Sequence, residues 1–128
     1  MSDDLFDKGM ATRKAVLGES YVARAEANKT DFDADWQRYV TEHAWAAVWT
    51  RPGLEKRTRS MLTIAMLASL GRLDELGAHI RATRNTGVTQ EEVKEVLLQV
   101  AVYAGVPAAN SAFAIAKRVY KEMENQGT

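Results

Sequence analysis

Residues 61–70 read Met-Leu-Thr-Ile-Ala-Met-Leu-Ala-Ser-Leu, apolar on nearly every side once wound as a helix. A helix without a polar face has to be covered all round, so this segment is expected to be central, with the rest of the chain packed about it. Its opening, residues 55–59, is charged, and Gly71 supplies its stop. A run of this length is about half of what a membrane span needs.

The remainder is punctuated as further helices. Proline occurs only at 52 and 107, and no alternating strand pattern is present. Ser2 is placed to cap a first helix that ends near Gly18, and a short helix is expected over 21–27. In a third helix, over 32–50, Trp36, Tyr39, Val40, His43, Ala44 and Ala47 form one stripe at helical spacing, expected to face inward. Trp45 and Trp49, four apart, project from roughly the opposite side with Glu42; they suit a pocket wall, a subunit interface or the core. Helices over 54–70 and 73–85 follow. Thr89-Gln90-Glu91-Glu92 is a capping box that opens a sixth, and a last helix covers 108–124. The expected fold is all-α: a compact single-domain bundle of about six to seven helices over residues 1–128.

Charge and composition then exclude classes. Seventeen basic and seventeen acidic residues cancel, which argues against a nucleic-acid binder that relies on counterion release. Residues 80–93 superficially resemble part of a helix-turn-helix, but the helix after Thr89 is charged only at its start and lacks a polar recognition face. The absence of cysteine removes disulfides, thiolate metal sites and thiol nucleophiles. An acidic opening with no apolar run behind it is unlike a signal peptide, and no membrane partner is expected, so a cytoplasmic protein is expected.

Few side chains remain for chemistry. His79 and Glu75 are four apart on one helix; imidazole suits proton transfer near neutral pH, and a carboxylate one turn away can orient it. The alternative is a helix-surface ion pair. His43 lies on the apolar stripe and reads as a core or interface histidine. Glu75-x-x-x-His79 and the adjacent Glu42-His43 lack the Glu-x-x-His spacing of di-metal bundles, so no metal is expected. Arg51, Arg57 and Arg59 surround the Pro52-Gly53 turn. A guanidinium drawn to the edge of an apolar pocket grips a carboxylate with two hydrogen bonds; the alternative is a solvated helix terminus.

Ala44-Trp45, then Trp49-Thr50-Arg51-Pro52-Gly53-Leu54 and Arg57-Thr58-Arg59-Ser60-Met61-Leu62-Thr63, resemble the carboxymuconolactone decarboxylase family. So do Glu75 with His79, Gly87-Val88-Thr89, residues 92–99, and Tyr103-x-Gly105-Val106-Pro107-Ala108-Ala109-Asn110-Ser111-Ala112-Phe113. The resemblance spans most of the chain. It implies an alkylhydroperoxidase-like helical fold, yet the Cys-x-x-Cys-x-x-x-His motif of the peroxidase branch is here Arg72, Glu75 and His79, so thiol peroxidase chemistry is absent. The implied reaction is loss of CO2 from a carboxylated butenolide to give 3-oxoadipate enol-lactone, a step of protocatechuate breakdown, with no cofactor. The implied substrate is a small dicarboxylate lactone. His79 would donate a proton or stabilise the oxyanion, with Glu75 orienting it. Arg51 and Arg59, with Arg57 less favoured, would hold carboxylates, and Trp45 and Trp49 would exclude water. The resemblance also implies a homo-oligomer, a hexamer. Alternatives are a related enzyme acting on another lactone or keto acid, and a non-catalytic helical oligomer.

Overall fold

In a computed structural model of the protein, residues 2–126 are described, with side chains from Asp4 onward. The elements are α1 (Ser2–Leu17), α2 (Glu19–Asn28), α3 (Ala34–Val40), a π-helix (Thr41–Trp49), α4 (Lys56–Leu70), α5 (Leu73–Arg81), α6 (Thr83–Thr86), α7 (Gln90–Tyr103) and α8 (Val106–Asn125). No strand occurs among the described residues. The π-helix continues α3 without a break, and α6 is one turn set off from α5 by Ala82 alone, so these elements make seven rods. The all-α expectation holds. The chain divides into two compact units, Met1–Lys56 and Arg57–Thr128.

In the N-terminal unit, α1 turns Gly9, Arg13 and Val16 inward, at i, i+4 and i+7. Ser2 opens α1, and its expected capping side chain lies outside the described residues. The buried Arg13 guanidinium reaches Glu26 Oε2 of α2 at 3.5 Å and Gln37 Oε1 of α3 at 3.3 Å, so one cation ties three helices together. Gly9 faces the π-helix so closely that a Cβ there would lie 2.1 Å from the Thr41 carbonyl oxygen. Only glycine permits that approach.

The π-helix corrects the expected third helix. Its buried residues are Thr41, Trp45 and Ala46, with Trp49 and Thr50 half-buried, a repeat of four to five rather than three to four. The wider turn brings Trp45 inward, 6% exposed, and stacks Trp49 on it with ring centroids 5.0 Å apart. Trp36, Tyr39, His43 and Ala47, expected inside, are exposed. Three of them form an outward stack, with Trp36 5.9 Å from Tyr39 and Tyr39 4.2 Å from His43.

In the C-terminal unit, Ile64, Ala68, Leu76, Ile80, Leu97 and Val119 belong to one apolar core shared by α4, α5, α7 and α8. Gly71 closes α4 with φ at 72°, and the Arg72 N–H returns to the Leu67 carbonyl at 2.9 Å. The expectation that α4 is covered all round fails. Ser60, Ile64 and Ala68 are buried, whereas Leu62, Met66 and Leu70 are 43%, 59% and 73% exposed. At α7 the capping box forms as read: the Thr89 hydroxyl accepts from the Glu92 N–H, and Glu92 Oε1 accepts from the Thr89 N–H at 2.9 Å. α8 begins two residues earlier than expected, because Pro107 is tolerated in a first helical turn.

Candidate active site

The expected site residues divide between the units. Trp45, Trp49 and Arg51 belong to the N-terminal one; Arg57, Arg59, Glu75 and His79 belong to the C-terminal one. α5 presents a strongly one-sided face, with Leu76, Gly77 and Ile80 buried, and this seats His79 on the flank of the core. At Gly77 a Cβ would meet Ile115 and Val119 of α8 at 3.6 Å, ordinary van der Waals contact, so the packing of α8 there does not depend on glycine. Burial pulls the His79 imidazole down to about 4, against the exposed Glu75 carboxylate, which pulls it upward. Burial wins, so His79 is neutral at pH 7 and can offer an N–H without carrying charge.

The three arginines have different surroundings. Arg51 follows the π-helix and is exposed. Arg57 is half-buried and ion-paired to Glu92 of α7. Arg59 is half-buried, with its Nε withdrawn from solvent. Sequence reading identified Glu92 as a helix cap but missed its second role as the partner of Arg57. The available signal was that a capping glutamate uses one carboxylate oxygen and leaves the other to accept.

His43 is exposed rather than a core residue; its Nδ1–H donates to the Tyr39 carbonyl at 3.1 Å. No group of three His, Asp or Glu side chains is arranged to hold a metal among the described residues. A cleft of about 490 Å³ between α7 and α8, lined by Val93, Leu97 and Phe113 together with Lys94 and Lys117, contains none of the expected site residues. A second, mostly apolar groove of about 350 Å³ lies between α4 and α7, and Thr58, the residue between Arg57 and Arg59, is part of its lining.

Residues 34–118 match the model of the carboxymuconolactone decarboxylase family, a span that contains every one of these site residues. The chain is 47% identical over 118 residues to 4-carboxymuconolactone decarboxylase of Acinetobacter baylyi, covering 92% of this chain and 88% of that one. It is 41% identical over 123 residues to nitrosuccinic acid decarboxylase of Metarhizium robertsii, covering 96% and 86%. A 39-residue stretch is 41% identical to 4-carboxymuconolactone decarboxylase of Pseudomonas putida, covering 30% of this chain and 81% of that sequence. With the family's pattern running through α3 to α8 and near-full-length relatives on both sides, the chain belongs to the carboxymuconolactone decarboxylase family.

Proposed function

We propose that this chain decarboxylates 4-carboxymuconolactone, giving 3-oxoadipate enol-lactone in the breakdown of protocatechuate. The observation that carries the reading is the 47% identity to the Acinetobacter enzyme of that name across nearly the whole of both chains. The chemistry is simple to balance. The bond from ring carbon to carboxylate breaks, CO2 leaves, and the electron pair passes through the ring double bond onto the lactone carbonyl oxygen. The resulting dienolate takes one proton on the carbon beside that carbonyl. The substrate is its own electron sink, so the reaction asks the protein for three things: a grip on two carboxylates, a donor to the oxyanion and a proton.

His79 meets the second requirement as a neutral imidazole, whose N–H hydrogen-bonds the developing oxyanion; a donor of this kind is typically worth about 3 kcal/mol. Glu75, one turn earlier, orients it. Arg59 is the carboxylate clamp of the C-terminal unit, and Arg51 supplies the second cation. Arg57, ion-paired to Glu92, is the less favoured third candidate. Trp45 and Trp49 exclude water. The family match, over residues 34–118, takes in parts of both compact units, which supports reading them as parts of one functional domain.

The same reading makes the protein a cytoplasmic homo-oligomer, a hexamer by family resemblance. The uncovered Leu62, Met66 and Leu70 on α4, with Leu98, Val102 and Tyr103 on α7, support an oligomer, since this much apolar side chain is costly to leave in water. No helix among the described residues is long and apolar enough to cross a membrane.

A second reading is favoured by the Metarhizium relative, whose named substrate is also a dicarboxylate, one in which a nitro group can take up the electron pair. The test is turnover in D2O, followed by NMR, with 4-carboxymuconolactone and nitrosuccinate in parallel. Loss of CO2 from the lactone with one deuterium beside its carbonyl is the expected result. Turnover of nitrosuccinate alone replaces the first reading with the second, and turnover of neither overturns both.

A further inference from the structure

The first turns of α4 are tethered at two points, and both tethers end on one short segment. At the first point Arg57 is ion-paired to Glu92 through Oε2. The other oxygen of that carboxylate is occupied as well: Oε1 accepts from the Thr89 N–H at 2.9 Å and from the Thr89 hydroxyl at 3.1 Å. Glu92 is therefore held by the capping box at the moment it holds Arg57. At the second point, three residues along α4, the fully buried Ser60 accepts a hydrogen bond at 3.1 Å from the Thr86 hydroxyl. Thr86 ends α6 and Glu92 lies in the first turn of α7, so the two anchors bracket a single connection. Between Arg57 and Ser60 the chain carries only Thr58 and Arg59. The Thr63 hydroxyl also donates to the Arg59 carbonyl at 2.8 Å.

Helix N-termini lack intrahelical partners for their first N–H groups and are among the first places to open locally. This one is pinned on either side of a single half-buried guanidinium. We propose that the Arg57–Glu92 pair and the Ser60–Thr86 bond are positioning devices for Arg59, fixing the backbone from which it grips a substrate carboxylate. The inference rests on the reading of Arg59 as a clamp. A two-bond grip tolerates little displacement, and a misplacement of about 1 Å can cost on the order of a hundredfold in rate or binding. The Arg57 and Glu92 side chains are 41% and 28% exposed, so their pairing adds little to stability. Its loss is read in substrate binding.

The test compares Glu92→Gln and Arg57→Gln with the unmodified protein, measuring kcat and KM for the lactone together with Tm. Glutamine at 92 still accepts from Thr89 and removes only the ion pair. The expected result for either variant is a KM raised about tenfold, kcat within about twofold and Tm unchanged within about 2 °C. The double variant is expected to be no worse than either single one, and Arg57→Lys is expected to recover most of the loss. An unchanged KM in both single variants, while Arg59→Lys raises it, overturns the positioning role and leaves the clamp standing. An unchanged KM in Arg59→Lys itself overturns the clamp, and this inference with it. A fall in Tm with KM unchanged assigns the tethers to stability alone and also overturns the proposal.

Discussion

His79 enters the folded chain as a neutral imidazole, and this decides what it can do. An unfolded histidine takes up a proton near 6.5, whereas burial holds His79 near 4 despite Glu75 one turn away. Between those two values the unfolded chain binds more protons than the folded one, so stability falls as pH falls. Above 6.5 the residue is neutral in both states and its contribution is fully present. The loss across the window is on the order of 3 kcal/mol. Urea unfolding of the unmodified protein and of His79→Gln at pH 7.5 and pH 4.5 measures it. The unmodified protein is expected to lose more stability over that interval than the variant; equal losses would mean that burial does not hold the imidazole neutral. The pairing of Glu75 with His79 was readable from spacing alone, because four residues along an α-helix share a face. The depressed pKa was not, because it depends on how deeply α5 is seated. The ion pair of Arg57 was unreadable for a similar reason: its partner Glu92 lies in α7, far along the chain.

At the scale of the element, the approach of α1 to the π-helix gives a test in which two effects oppose each other. Replacing a mid-helix glycine by alanine ordinarily stabilises by about 1 kcal/mol through helix propensity. At Gly9 the added Cβ would lie 2.1 Å from a backbone oxygen, and backbone cannot step aside as a flexible side chain would. Gly9→Ala is expected to destabilise by about 2–3 kcal/mol. Urea midpoints checked against Ala11→Gly, on the exposed side of the same helix, separate the clash from propensity. Helix stops at Gly18 and Gly71 and the Thr89 capping box were legible because each is a local device with its own residue signature. The π winding was not. Nothing in Thr41–Trp49 is incompatible with an α-helix, and the choice between the two repeats moves Trp45 from the outer side to the inner one.

For the whole molecule, the uncovered side of α4 is where sequence and structure part most informatively. The reading of residues 61–70 as a segment covered on every side asked for more partners than one chain provides. The structure buries one face and leaves Leu62, Met66 and Leu70 open. Met66→Glu with Leu70→Glu is therefore expected to turn an oligomer into a 14.2 kDa monomer in analytical ultracentrifugation, with helicity retained in circular dichroism. Equal sedimentation of variant and parent would place the subunit contact elsewhere. The two faces of α4 differ little in polarity: Ser60, Ile64 and Ala68 lie on the buried one, Leu62, Met66 and Leu70 on the open one. Polarity alone therefore leaves the rotation of this helix about its own axis nearly degenerate. The small Ser60 and Ala68 on either side of Ile64, and the hydroxyl bond from Thr86 to Ser60, break the tie. A bulky residue at Ala68 would do more than crowd the core: it would make the two sides interchangeable, and the helix would lose its unique orientation before it lost its helicity.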